Sequence, residues 1–266
     1  MDIKDSVIVI TGGGSGIGAA LARRFAADGA AAVVVSDRNG DAARAVAGEI
    51  GGTAIECDVT DAVSIASLVE QTIAAHGHID LFCSNAGITT GVQLEDPDDL
   101  WHKAFEIHTM SHVYAARAVI PHMIERGRGY LLNTASAAGL LTSPGDAPYA
   151  VSKHGAVALA EWLAITYGDQ GIGVSVLCPM GVATPLLMDP LAAGEPGAVA
   201  VAASGEILDA DDVAGIVVDG VAKETFLILP HPEVGTFWAQ KASNPDRWLA
   251  GMRRLIAPLN NTQNTD

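Results

Sequence analysis

Tyr149 and Lys153 stand four residues apart in a stretch patterned as helix. At that spacing both side chains project from one face in the same direction. A phenol beside a fixed ammonium has its anion stabilised, so its pKa falls below the free value of ~10. Proton exchange near neutrality requires a drop of roughly 3 units, or about 4 kcal/mol of preferential stabilisation of the phenolate. The chemistry of such a pair is general acid–base catalysis at an oxygen. Tyrosine and lysine at helical spacing usually form a mere surface contact, so the pair acquires this meaning only in company.

That company begins with a glycine string. Thr11-Gly-Gly-Gly-Ser-Gly-Ile-Gly18 follows the first apolar run and opens the first amphipathic one. Gly12, Gly14, Gly16 and Gly18 let the backbone turn with positive φ and approach an anion without a Cβ in the way. Ser15 and Ile17 stand where a helix begins, with its free N–H groups and positive dipole end. A strand–turn–helix unit of this kind signals the diphosphate of a dinucleotide. The second apolar run ends at Ser36-Asp37-Arg38, with Asp37 19 residues past Gly18. A carboxylate there accepts from both adenosine ribose hydroxyls and repels a 2′-phosphate, so NAD is expected over NADP. Arg38 is the complication, because a guanidinium can pair with that phosphate. The glycine loop itself carries no basic residue.

The elements that must hold these groups alternate along the chain. Short apolar runs at 7–10, 32–36, 53–57, 79–83, 130–134, 173–177 and 226–229 read as strands of a parallel sheet covered on both faces. Helical patterns at 16–27, 41–50, 61–75, 98–124 and 147–167 separate most of them. The expected fold is α/β, a Rossmann-type doubly wound parallel sheet of about seven strands flanked by helices on both faces. No linker divides the chain, so residues 1–266 are expected to form one dinucleotide-binding and catalytic domain. Within it, about 185–206 reads as an irregular lid. About 244–257 reads as a tail helix whose apolar face (Trp248, Leu249, Met252, Leu255, Ile256) must dock on something. The polar residues 260–266 are expected to be disordered.

Composition removes several function classes. Hydrophobic residues make up 49% of the 266, enough for a large core. A formal net charge of −16 repels nucleic acid and anionic membrane alike, so neither is expected as a partner. Cys57, Cys83 and Cys178 lie in apolar runs without metal-ligand spacing; they are expected to be buried thiols, and no metal is expected. An odd cysteine count, an N-terminus unlike a signal peptide and the lack of a membrane-length apolar run point to the cytoplasm.

Taken together, the motifs resemble the classical short-chain dehydrogenase/reductase family over roughly residues 5–230. The glycine loop matches TGxxxGxG. Asp58-Val59 matches the pair that holds the adenine ring, and Ser84-Asn85-Ala86-Gly87 is similar to NNAG. Tyr149-Ala-Val-Ser-Lys153 reads as YxxxK, with Ser136 13 residues ahead of Tyr149, as the family's catalytic serine is. Cys178 to Thr184, containing Pro179, Gly181 and Val182, looks like the PGxVxT stretch, which places Thr184 at the nicotinamide amide. The resemblance implies that Ser136 holds the substrate oxygen and Tyr149 exchanges its proton. Lys153 then binds the nicotinamide ribose and lowers the Tyr149 pKa, while the hydride passes between nicotinamide and carbon. Two positions depart from the pattern. His108 stands where the family commonly has an asparagine whose backbone carbonyl anchors a relay water, and is a candidate fourth member whose helix kink the substitution puts in doubt. Met180 replaces a glycine and is expected to narrow the pocket.

No Lys or Arg occurs between Lys153 and Lys223, so the lid side lacks a cationic clamp for a phosphate or acyl-thioester carrier. A neutral, partly apolar secondary alcohol or ketone is expected, with Leu140, Leu141, Leu186, Leu187 and Met188 as pocket walls. The helix of Tyr149 is apolar on more than one side, and small residues Gly155, Ala156 and Ala158 suggest a helix-to-helix contact in a homotetramer or homodimer. Two alternatives stand beside this reading. An epimerase or dehydratase of the same superfamily would show a differently spaced glycine motif. A non-catalytic nucleotide-sensing or scaffold protein would have no use for an intact Ser136, Tyr149 and Lys153.

Overall fold

Seven short runs, most of them β-branched or apolar, pair side by side and in parallel: β1 (Val7–Thr11), β2 (Ala32–Asp37), β3 (Thr53–Glu56), β4 (Leu81–Ser84), β5 (Gly129–Thr134), β6 (Ile172–Leu177) and β7 (Leu227–Ile228). The computed structural model describes the backbone of residues 1–91 and 93–262, and side chains through residue 257. Strand order is β3-β2-β1-β4-β5-β6-β7, so direction reverses between β1 and β4. That reversal opens a crevice at the carboxyl ends of the strands, where ligands of such sheets bind. Register is continuous across it, with Val9 opposite both Val34 and Phe82. β7 is shorter than the apolar run 226–229 suggests.

Connections run through α1 (Gly16–Ala27), α2 (Gly40–Ile50), α3 (Ala62–His76), α4 (Asp98–Phe105), α5 (Ser111–Glu125), α6 (Ala138–Leu141) and α7 (Ala147–Tyr167). They continue through α8 (Pro185–Ala192), α9 (Pro196–Ser204), α10 (Ala210–Ala222), α11 (Glu233–Ser243) and α12 (Pro245–Thr262). Alternate residues of each strand feed opposite cores. Leu21, Phe25, Val217 and Val221 pack on one face with Ile8, Ile10 and Leu132. Leu68, Val119, Met123 and Leu163 pack on the other with Val9, Phe82 and Leu131. Each fully buried side chain of this kind contributes about 1.5–3 kcal/mol, which holds the crevice rigidly between the two layers. All three cysteines are buried and unpaired.

Several expectations need correcting. The 98–124 helix is interrupted by a π turn at Glu106–Met110 between α4 and α5. The segment expected to be irregular forms α8 and α9, neither of which buries a residue. Its two ends are clipped together by a bridge between Val182 and Leu208. The tail helix is preceded by α11 and runs to Thr262, so residues 260–262 are helical, while 263–266 lie outside the described residues. No helix among the described residues is long and apolar enough to cross a membrane.

Candidate active site

β1 ends at Thr11, and the chain turns at once through Gly12 (φ +64°) and Gly16 (φ +51°) into α1. The turn is tight because the neighbours leave no room for a side chain. A Cβ on Gly12 would lie 2.8 Å from Ala86 Cα, and one on Gly14 3.0 Å from Asp37 Oδ2. One on Gly18 would meet the Gly12 carbonyl oxygen, which seats the helix on its own loop. Asn85 fastens the turn from β4: its amide nitrogen donates to Thr11 O at 3.1 Å and its backbone N–H to Thr11 Oγ1 at 3.0 Å. The first turn of α1, through Gly16, Ile17 and Gly18, carries no side-chain cap from Ser15. Its N–H groups are therefore available to an anion.

Asp37 stands half-buried at the end of β2. Its Oδ2 accepts from Gly14 N–H at 3.1 Å and its Oδ1 from Asn39 N–H at 2.9 Å, which fixes the carboxylate against the glycine loop. Arg38 is exposed, and its charge acts on Asp58, whose carboxyl is held below its usual range mainly by hydrogen bonds from Thr60. Val59 packs against the core beside it. A bare glycine cradle, open helix N–H groups and an oriented carboxylate form a donor and acceptor set that fits a dinucleotide with free ribose hydroxyls.

Deeper in the crevice, the Tyr149 phenol faces Ser136, whose hydroxyl accepts Ala138 N–H at 3.1 Å. Lys153 Nζ lies 5.7 Å from the Tyr149 ring centroid and donates to Thr134 O at 2.9 Å. Ala86 and Gly87 close this side, and a Cβ on Gly87 would lie 3.7 Å from both Lys153 Nζ and His108 Nε2. The structure thus brings Ser136, Tyr149, Lys153, His108 and the 85–87 turn together beside the glycine loop. The electrostatics differ from expectation. Burial pushes the Tyr149 phenol up to about 12, outweighing the contrary effect of Ser136, while burial pulls Lys153 down to about 8. A lysine 5.7 Å from the ring does not by itself lower the phenol, because desolvation acts on both groups.

His108 sits in the π turn and is fully buried. Ile88 N–H donates to its Nε2 at 3.0 Å, so the ring proton is on Nδ1 and is donated to Ser152 Oγ at 2.8 Å. The ring stands edge-on to Tyr149, with centroids 5.2 Å apart. Both nitrogens are committed, and burial together with the Lys153 charge holds the ring neutral. The helix irregularity that the asparagine replacement put in doubt is present as the π turn. One turn on, His112 Nδ1 meets Asn133 Oδ1 at 3.0 Å, again fully buried. Sequence reasoning missed this pair, which has no local signature.

The opposite wall follows β6. Pro179 O accepts Ala137 N–H at 2.8 Å and faces Ser136 Oγ at 3.5 Å. Gly181 O accepts Leu208 N–H at 3.0 Å, and Leu208 O accepts Ala183 N–H at 2.8 Å, the bridge that pins Val182. Thr184 is buried, 3.1 Å from where a Gly16 Cβ would stand, so it touches the glycine loop. Met180 turns toward Gly205 at the end of α9. His231, another residue the sequence did not single out, accepts Met180 N–H at Nδ1 (3.1 Å) and reaches Glu206 O from Nε2 (3.2 Å). Leu140 and Leu141 are buried in the core, whereas Leu186 and Met188 are exposed. Gly155 and Ala156 also serve this chain: Gly155 approaches Thr109 and Ala156 is buried. The outward face of α7 presents Val151, Trp162 and Ile165 instead.

Comparison with known proteins agrees with this geometry. The family model for short chain dehydrogenase matches residues 6–193. A 1-deoxy-11-beta-hydroxypentalenate dehydrogenase of Streptomyces exfoliatus is 36% identical over 88% of this chain and 86% of its own. A 2,5-dichloro-2,5-cyclohexadiene-1,4-diol dehydrogenase of Sphingobium indicum is 38% identical over 70% of this chain and 76% of its own. Among solved structures, a short chain dehydrogenase/reductase from Burkholderia phymatum in complex with NAD superposes with a TM-score of 0.84 at 27% identity, covering 92% of this chain and 96% of that one.

Proposed function

The chain belongs to the short-chain dehydrogenase family, and from that premise we propose that it is an NAD-dependent oxidoreductase acting on a neutral, partly apolar secondary alcohol or its ketone. The observation that carries the reading is Tyr149 facing Ser136 with the Lys153 ammonium 5.7 Å from the ring, set beside the glycine cradle. NAD held by Gly12 to Gly18, Asp37, Asp58, Val59, Asn85, Ala86, Gly87, Pro179, Gly181, Val182 and Thr184 supplies the hydride acceptor and, when oxidised, a positive charge. Ser136 holds the substrate oxygen by hydrogen bond. Tyr149 takes the hydroxyl proton in oxidation and returns it in reduction. Lys153 holds the cofactor ribose and keeps a cation beside the ring, so the phenol buried at a pKa of about 12 ionises only once the site is assembled. His108 positions Tyr149 through Ser152 and the turn at Ile88, and does not itself shuttle protons.

The substrate class rests on the apolar α8–α9 side, which carries no Lys or Arg, with Leu186, Leu187 and Met188 exposed or half-buried. The relatives named above are dehydrogenases of a hydroxypentalenate and of a cyclohexadiene diol, which favours an alicyclic alcohol. Strong preference for a phosphorylated or thioester-linked compound in a substrate screen would overturn this. We place the protein in the cytoplasm, on its three unpaired cysteines. We also assign it a homotetramer or homodimer, supported by exposed Trp162 and Ile165 on α7 and Leu249 and Leu255 on α12. A monomer by light scattering at micromolar concentration would count against assembly. The decisive test of the chemistry is Tyr149→Phe. Alcohol-dependent NAD reduction should fall by about 10³-fold or more while NAD binding, read by fluorescence titration, stays near wild type. Substantial turnover in that variant would remove the assignment.

A further inference from the structure

Asp146 precedes Tyr149 by three residues and caps α7, accepting Tyr149 N–H at Oδ1 (3.1 Å). A helix cap requires no more than that bond. Yet this carboxylate is buried and takes three further hydrogen bonds from a loop 55 and 56 residues distant: Thr90 Oγ1–H to Oδ1 at 2.5 Å, and Thr90 N–H (2.7 Å) and Gly91 N–H (3.0 Å) to Oδ2. Gln93 adds a bond to Gly145 O at 2.9 Å. The start of α9 closes over the same knot. A Cβ on Gly145 would lie 3.2 Å from Gly197 Cα, and one on Gly91 3.7 Å from Glu195 Oε2. Three segments that border the cleft therefore meet at one buried anion: the loop after β4, the entry to α7 and the start of α9.

We propose that Asp146 is a positioning residue that ties the loop after β4 to the helix of Tyr149 and so holds one wall of the substrate cleft. The proposal rests on Tyr149 being the general base.

The test uses Asp146→Ser, which keeps a capping oxygen but cannot span to Thr90. Steady-state kinetics of alcohol oxidation are measured at saturating NAD, and amide hydrogen exchange is followed over residues 86–97. Asp146→Ser should raise the alcohol KM about fivefold or more, with plateau kcat within about twofold. The amides of Thr90 and Gly91 should exchange faster in it, while that of Ile88, held by His108, stays protected. A cap alone would lower stability and leave KM unmoved. An alcohol KM unchanged in Asp146→Ser, or loop amides as protected in it as in wild type, overturns the proposal. Should that variant fold poorly, Thr90→Val leaves cap and charge in place and removes one tether bond; it must still raise KM and loop exchange, and no change in either sinks the idea. Turnover surviving in Tyr149→Phe would instead sink the general-base reading, and the exchange result is scored separately from it.

Discussion

The floor and the roof of the crevice are built by different means. The floor consists of Ser136, Lys153, His108 and the glycine loop, all fastened to strand ends and to buried helices. The roof, α8 and α9, buries no side chain and is joined to the body by the Val182–Leu208 bridge and by His231. The floor holds polar groups whose protonation equilibria are displaced by burial: a lysine drawn down to about 8, a phenol pushed up to about 12 and two histidines kept neutral. Such displacement is sustained only where packing over-determines position, whereas a surface that admits varied substrates needs little of either. On the proposed reading, chemistry falls in the firmly fastened half and selection in the half that buries no side chain.

Substitutions can break or sharpen that contrast. Lys153→Met should have the largest effect, lowering kcat/KM by about 10³-fold, roughly 4 kcal/mol. It should also raise unfolding free energy at neutral pH. Lys153 has a folded pKa of about 8 against 10.5 unfolded, so its charging opposes folding at pH 7 by about 3 kcal/mol, only partly offset by its bond to Thr134 O. Activity and denaturant midpoint moving in opposite directions would support a strained floor; a fall in both would argue against it.

His112 tests the same half by acid. Its folded pKa of about 3 lies below the unfolded 6.5, so its contribution is complete above pH 6.5 and is lost as pH falls toward 3. The slope is about 1.4 kcal/mol per pH unit. His112→Gln should flatten the decline in urea-unfolding free energy by about 2 kcal/mol between pH 6.5 and 5. An unchanged slope would show that the ring is protonated in the native state.

Asp37→Ala is expected to narrow the preference for NAD over NADP in kcat/KM by about tenfold, roughly 1.4 kcal/mol, leaving the alcohol KM alone. Equal efficiency of wild type with both cofactors would already contradict the role. Smallest of all, Leu186→Ala on the roof should change the denaturant midpoint by no more than about 0.5 kcal/mol while altering the ranking of alcohols by size. A large loss of stability there would place α8 in the core after all.

Legibility followed sequence distance. The glycine loop, Asp37 and the Tyr149–Lys153 pair were readable because each owes its geometry to a local rule: positive φ, the end of a strand, or four-residue helical spacing. The doubly wound parallel sheet followed from alternation and handedness, whereas its strand order came from the structure. Asp146, His112 and His231 were not readable, since their partners lie 56, 21 and 51 residues away and histidine or aspartate in a helix or turn carries no signal of such a bond. The sign of the Tyr149 shift was misjudged for a related reason: a nearby cation is visible in sequence, but the burial that outweighs it is not. The roof was read as irregular because Pro, Gly and Ala dominate it, and helix formation there depends on Pro185 and Pro196 standing at first-turn positions.

The clip between Val182 and Leu208 has a corollary for variation. Because both ends of the intervening stretch are fastened at one point beside the sheet, a change in its length need not displace the strands that hold the site. Doubling its length would add only about 0.6 kcal/mol of closure entropy. Changes confined to the part beyond Thr184 that spare Glu195 and Gly197 would leave Ser136, Tyr149 and Lys153 where they stand, so the surface over the crevice can vary in shape without rebuilding what lies beneath it.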